Sequence, residues 1–434
     1  MRISVEYHDL NKSIRNFFAE GVASQISSSL ITVAIISSYL AIIDAPPHII
    51  GLTIAIPYLT TSVQLLLAKF VEKRNRKKIA LTASLISKSS LIAIAITSTL
   101  TDNVLIFIIL YLIFNIFEDV FTVTWSSWIN DLIPSGERGE ILSKRFYYGK
   151  IFATFILVPQ LWFFEKFGEP SFSILFFLSG ISGILGVYFL KNVENIRSNR
   201  ISEARILDPF KNSNFVRFVL VISLFWFTFS AARGFYAVYI LKVLFYPLWF
   251  MFLLVLASHL SSIYSYRISG IISDRLGNGV LLLISMITFS ISTVLLVFSN
   301  SDSGALLLTI SYIFQGFCIS APTIAFMSAT ADMSYKKHSA PFYAVGNLMQ
   351  DFSCATGFIL AGFLISNYLT YQSLFILTLI ISILLIPFTK LYREFAPPST
   401  TLKLLTVLFE DLKFEKSFAK IKKVKKYKPL WKFY

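Results

Sequence analysis

Apolar runs of about 20 residues, each closed by a short polar connection, recur from one end of this chain to the other. They lie near 17–43, 48–70, 79–100, 104–133, 146–166, 171–191, 214–242, 247–270, 279–299, 304–331, 342–367 and 373–393. A helix crossing the hydrocarbon of a bilayer needs about 20 mostly apolar residues, so the pattern predicts roughly twelve spanning helices. The first sixteen residues, MRISVEYHDLNKSIRN, are mixed polar and have neither an apolar h-region nor a small-residue cleavage site. Entry through the first span, with no cleaved signal peptide, is therefore expected. The polar stretch 191–217 divides the spans six and six. The expected organisation is a first six-helix bundle over 1–190, a linker over 191–213, a second bundle over 214–395 and a tail over 396–434.

Composition agrees with a membrane protein: 55% of residues are hydrophobic and only 15% charged, where soluble domains sit near a quarter charged. Cys318 and Cys354 fall inside apolar runs with no CxxC or histidine partner, as buried small hydrophobes do, and no disulfide is expected. The net charge of +15 raises nucleic acid as a partner, but its placement points to lipid. Basic residues gather in alternate connections: KRNRKK (73–78), Arg138 to Arg145, the 191–217 linker, Arg267 with Arg275, and Lys336-Lys337. DAPPH (44–48), TDN (101–103) and NSDSG (300–304), on the other side, carry no lysine or arginine. The positive-inside bias then puts both termini in the cytoplasm of a multi-pass plasma-membrane protein. The tail from 399 onward has ten lysines interleaved with Leu404, Leu408, Leu412, Ile421 and Val424. It is expected either to lie on anionic lipid or to remain a solvated lysine tail, and in both cases nucleic acid need not be invoked.

The two halves show signs of duplication. Aligning AKFVEKRNRKK (68–78) with SGIISDRLGNG (269–279) places Glu72 opposite Asp274 and Lys73 opposite Arg275, and the same shift carries Asp131 onto Asp332 within a residue. The second copy resembles the signature loop of the major facilitator superfamily, Gly-x-x-x-Asp-Arg-x-Gly-Arg/Asn, at Gly270, Asp274, Arg275, Gly277 and Asn278. WSSWINDLIPSGERGEILSKR (125–145) is similar to the helix 4–5 region of many prokaryotic members. The resemblance implies an all-α fold of about twelve spans in two pseudo-symmetric six-helix bundles, a transporter rather than an enzyme. It also implies a conformational latch at Gly270, Asp274, Arg275, Gly277 and the first-half Glu72, with Asp274 facing the start of span eleven near Pro341. The arginine- and glycine-rich run of many antiporters is absent from YLIFNIFEDV (111–120), and the antiporter element of span five is reduced to Gly149 and Pro159. Beside the resemblance, Gly270 is expected to permit close helix approach, and Gly277 and Gly279 to suit a chain reversal.

Ionisable residues inside spans are costly and mark function by default. Asn115, Glu118, Asp119, Thr122 and Ser126 share one helical face of span four, expected to line a central cavity. Asn115, Glu118, Asp119, Arg233 and Gln315 are the candidate solute-binding residues, and Glu118, Asp119 and Asp351 the candidate ion-coupling sites. Lys88 lies about 14 Å along its helix from Ile79, within reach of Glu118 or Asp119, and a purely structural pair stays open there. Lys150, matched to Asp351 by the repeat, either pairs or snorkels to the interface. Glu20 is expected at the interface and His259 either packed or titrating, while His8, His48 and His338 make no metal-ligand spacing. Neither a P-loop, a nucleophile elbow nor a zinc pattern occurs, so no cofactor or metal is expected and energy would come from a gradient.

The expected function is secondary active transport of a small polar or charged organic solute by a monomeric carrier. Two alternatives remain open: an efflux carrier for amphipathic compounds, and a non-transporting membrane sensor or lipid-handling protein with a collapsed centre.

Overall fold

The computed structural model describes residues 2–72, 75–132, 138–194, 208–300, 304–334 and 339–391. The tail from 392, most of the linker, and the side chains of Glu72, Asp131, Lys150, Asp274 and Arg275 lie outside the described set, and so do the expectations placed on them.

Helices account for nearly all of the described residues, and no strand occurs among them. The first bundle comprises α1 (Arg2–Ser29), α2 (Val33–Ile42), α3 (Pro47–Glu72), α4 (Arg76–Leu100), α5 (Val104–Leu132), α6 (Arg138–Phe167) and α7 (Ser171–Lys191). The second comprises α8 (Ser213–Lys242), α9 (Leu248–Leu276), α10 (Asn278–Val297), α11 (Ala305–Met333), α12 (Ser339–Asn367) and α13 (Tyr371–Leu385). Because α1 and α2 together make one pass, twelve passes result, and ten of them are long and apolar enough among the described residues to cross a membrane. An even number of passes returns the last helix to the face where the first began, called here the terminal face.

The neighbour pattern repeats between bundles: α5 packs on α3 and α4 as α11 packs on α9 and α10, and α7 on α4 as α13 on α10. Lipid tails are as apolar as leucine, so helices in a membrane associate through close packing and interhelical hydrogen bonds. Serine pairs supply many of these: Ser27 with Ser179 at 3.1 Å, Ser292 with Ser311 at 2.9 Å, and Ser290 with Ser382 at 2.8 Å. Ends are set by local chemistry. Asn75 caps α4 by accepting from Lys78 N, Asn212 caps α8, and Thr370 caps α13 by accepting from Ser373 N, each satisfying a donor the helix cannot.

The bundles meet at the face opposite the termini. There α3 and α12 approach so closely that a Cβ on Gly51 would stand 2.5 Å from the Phe358 carbonyl oxygen, and one on Gly362 2.6 Å from that of Pro47. The His48 backbone N–H donates to Ser366 Oγ at 3.0 Å, Asp44 pairs with Lys242 at 2.5 Å, and Phe164 stacks on Phe252 at 3.9 Å. Asp44 and Phe245, in the two loops of this closure, have φ of 55° and 57°, a left-handed conformation uncommon for such residues.

Three features differ from the sequence expectation. The first pass is not one helix over 17–43: it runs from Arg2 and breaks between Ser29 and Val33. Asp274 and Arg275 belong to α9, which continues to Leu276, so the reversal is made by Gly277 alone (φ 94°), and Gly279 is already helical. A Cβ on Gly270 would meet no described atom within 4 Å, so no close helix approach requires that glycine in this conformation.

Candidate functional site

Between the bundles lies a polar cavity of about 220 Å³, continued toward the opposite face by a smaller chamber of about 50 Å³. Thr32, Arg233, Ser258, His259 and Ile319 line both. The first bundle contributes Gln25, Ser28 and Ser29 from the end of α1, where the serine hydroxyls fold back onto the Gln25 and Ile26 carbonyls. The second contributes Arg233 and Tyr236 from α8, Ser258 and His259 from α9, and Tyr312 and Gln315 from α11.

Arg233 has no ion-pair or hydrogen-bond partner among the described residues, and its guanidinium lies 5.6 Å from the Phe229 ring centroid. A cation at the centre of a spanning helix costs at least about 2.5–3.5 kcal/mol; here the cavity supplies its polar surroundings. Gln315 is 4% exposed and its Nε2 has no acceptor. Two of the sequence-derived solute-binding candidates, Arg233 and Gln315, are thus brought to one chamber.

The polar face of α5 goes elsewhere, and no described α5 side chain lines either chamber. Asn115 donates to the Tyr111 carbonyl of its own helix at 2.7 Å. Glu118 turns to α4, accepting from Lys88 Nζ and Ser87 Oγ, both at 2.7 Å. The expected cavity-lining face of α5 is therefore not on the cavity: neighbouring side chains on a helix diverge by about 100°, and Glu118 makes the pair with Lys88 that the sequence leaves open. The stem of Lys88 occupies space that a Cβ on Gly183 of α7 would fill, its Cδ standing 2.4 Å from that position.

Asp119 points to α3 instead, where Gln64 Nε2 donates to its Oδ1 at 2.7 Å. Across the bundle boundary, Asp351 of α12 faces Thr61 of α3 and lies within electrostatic range of Asp119. The two carboxylates thus lie on either side of α3, which packs on both α5 and α12.

The buried pair of Arg145 on α6 with Glu20 on α1, at 2.7 Å, was not anticipated. Arg145 reads in sequence as one of the basic connection residues and Glu20 as interfacial; in the structure they are 6% and 2% exposed, with the guanidinium against both of the stacked rings of Phe17 and Trp125. The only sequence signal is Gly21, where a Cβ would stand 2.5 Å from Arg145 Cγ.

At the α9–α10 turn, Ser273 Oγ donates to Asn278 Oδ1 at 2.7 Å, and Asn278 Nδ2 donates to Ser328 of α11 at 3.3 Å. The last position of the signature loop therefore ties three helices together.

Twelve passes in two bundles, with a polar cavity between them, define a polytopic membrane carrier. The profile of the Major Facilitator Superfamily matches residues 18–280 and 260–434, and the chain belongs to that family. Among solved structures it is similar to a point mutant of the nucleoside transporter NupG, with a TM-score of 0.73, 14% identity, and coverage of 87% of this chain and 100% of that one. It is also similar to a bacterial homologue of the human lysosomal transporter Spinster in an inward-facing, unoccupied conformation, with a TM-score of 0.64, 12% identity, and coverage of 88% and 97%. No curated protein matches the chain.

Proposed function

We propose that this protein moves a small polar or charged organic solute across the plasma membrane by alternating access, with both chain ends in the cytoplasm. The observation that carries the proposal is Arg233, a cation without a counter-ion among the described residues, facing a cavity between two bundles that close against each other on one side. The lysine- and arginine-rich connections all belong to the terminal face, which supports a cytoplasmic placement of that face. The closed Asp44–Lys242 side then faces outward, and the state described is inward-facing. A polar cavity at the centre fits a carrier better than a sensor with a collapsed, water-poor core. With no P-loop in the sequence, the driving force is an ion or solute gradient. The Asp119–Thr61–Asp351 cluster, which touches both bundles, is the proposed coupling site.

The experiment is a reversible lock on the closed side. Cysteines replacing Asp44 and Lys242, bridged by a short cleavable thiol crosslinker, should arrest uptake of a panel of labelled solutes into proteoliposomes. Cleavage should restore it; Cys318 and Cys354 are buried and do not interfere. Undiminished uptake by the bridged protein would refute alternating access through this cavity.

A further inference from the structure

The break in the first pass has a chemical consequence at the cavity. Ser29 ends α1, Thr32 is extended (φ −86°, ψ 162°), and α2 starts at Val33. The Thr32 side chain accepts from Ile35 N at 3.4 Å, and its carbonyl accepts from Ile36 N at 3.0 Å. The N–H groups of Val33 and Ala34 have no acceptor among the described residues. In the bilayer core an unmatched backbone donor is tolerated only where it is buried in protein or faces a water-filled cavity. Such a helix start also carries roughly half a positive charge.

This end of α2 opens on the smaller chamber, which Thr32 and Ala34 line. Arg233 and the unpartnered amide of Gln315, itself 4% exposed, line the same chamber. Among the described residues, no aspartate or glutamate lines either chamber. Three independent elements, α2, α8 and α11, thus present donors without acceptors to one small volume. The adjoining larger cavity offers neutral hydroxyl and amide groups from Gln25 and Ser28.

We infer that the solute is a hydroxylated organic oxyanion. Its carboxylate or phosphate is held by the α2 N-terminus, Arg233 and Gln315, and its hydroxylated body lies in the larger cavity against α1. A discontinuous helix whose inner N-terminus meets an anionic group is a general way of binding anions within a membrane. The inference rests on the transport reading above and names the solute class for the same cavity.

The test uses the full chain purified in nanodiscs, with calorimetric titration and thermal unfolding against gluconate, glucose 6-phosphate and uncharged glucitol. Gluconate or glucose 6-phosphate should bind and raise the unfolding midpoint, the tighter of the two telling carboxylate from phosphate, and glucitol should do neither. Val33→Pro deletes one donor at the first helical position, where proline is tolerated, and the extended Thr32 already suits a residue preceding proline. Val33→Pro and Gln315→Leu should each weaken anion binding by about tenfold, with the ligand-free unfolding midpoint of Val33→Pro unchanged. Anions that bind no better than glucitol, or bind undiminished in both variants, would overturn the assignment. If the 44–242 bridge arrests transport while glucitol binds as well as the anions, carrier activity stands and the oxyanion assignment falls. If the variants lose anion binding while the bridged protein still transports, the oxyanion site stands and alternating access through the cavity falls.

Discussion

Arg145, held against the stacked rings of Phe17 and Trp125 and paired with Glu20, and Arg233, facing a cavity with no partner among the described residues, are both cations of the same chain inside a membrane. Their surroundings give them different work. Desolvating a pair is repaid only with good geometry, and removing one member strands the other. Glu20→Ala should therefore destabilise the protein by about 3–5 kcal/mol, and adding Arg145→Met should recover part of the loss, as read by thermal unfolding of the two variants. Replacing Arg233 strands nothing, so Arg233→Gln should leave the unfolding midpoint close to wild type while abolishing solute binding in titration. Asp351 lies within electrostatic range of Asp119 across the bundle boundary. Asp351→Asn should remove uptake driven by an imposed proton gradient yet leave solute exchange at equal pH, and retention of gradient-driven uptake would argue against coupling there. Sequence singled out Lys88, Glu118, Arg233 and Asp351 because charge inside an apolar run is conspicuous. It passed over Glu20 and Arg145 because both lie at the edges of their apolar runs, where charge is cheap, and only their packing buries them.

At the scale of elements, the helices follow closely from the apolar runs, and the departures have local causes. The α1–α2 break contains neither proline nor glycine, and the hydrophobic run continues through Leu30 and Ile31. What breaks it is side-chain competition: Ser28 and Ser29 bond back to carbonyls, and Thr32 offers a cap, chemistry that hydropathy does not register. In α3 and α12 the reverse holds, since Gly51 and Gly362 are visible in sequence but their meeting is not. Gly362→Leu should wedge these helices apart at the closed face and increase labelling of a cysteine placed at His48; unchanged labelling would show that the contact tolerates the side chain. Of the two copies of the signature loop, the second keeps Gly277 and the Asn278 tie to Ser273 and Ser328. Asp274→Asn should accordingly slow transport more than Glu72→Gln, and the opposite ranking in a flux assay would refute a latch centred on the second half.

For the whole molecule, twelve passes, two related bundles and the family follow from features that a one-dimensional chain carries: run length, the polar divide at 191–217, and a repeated loop. They are legible because a bilayer demands about 20 apolar residues per crossing wherever the helix stands in the bundle. The site is a different matter. Sequence turned the Asn115–Ser126 face of α5 toward the cavity and left a Lys88 pair with Glu118 or Asp119 open, whereas the structure sends Glu118 to Lys88 of α4 and Asp119 to α3, and fills the cavity walls from α1, α8, α9 and α11. Which face of a helix looks at the other bundle depends on rotation about its axis, and that is decided by neighbours up to hundreds of residues away, such as Pro47 and His48 against Gly362. Sequence by itself determined that this protein spans a membrane as a carrier of paired bundles, because burial in lipid acts on each segment separately. Only the tertiary structure decided which charges pair, which one is left facing the cavity, and where a helix end opens toward it, because those depend on distances between segments that no local pattern encodes.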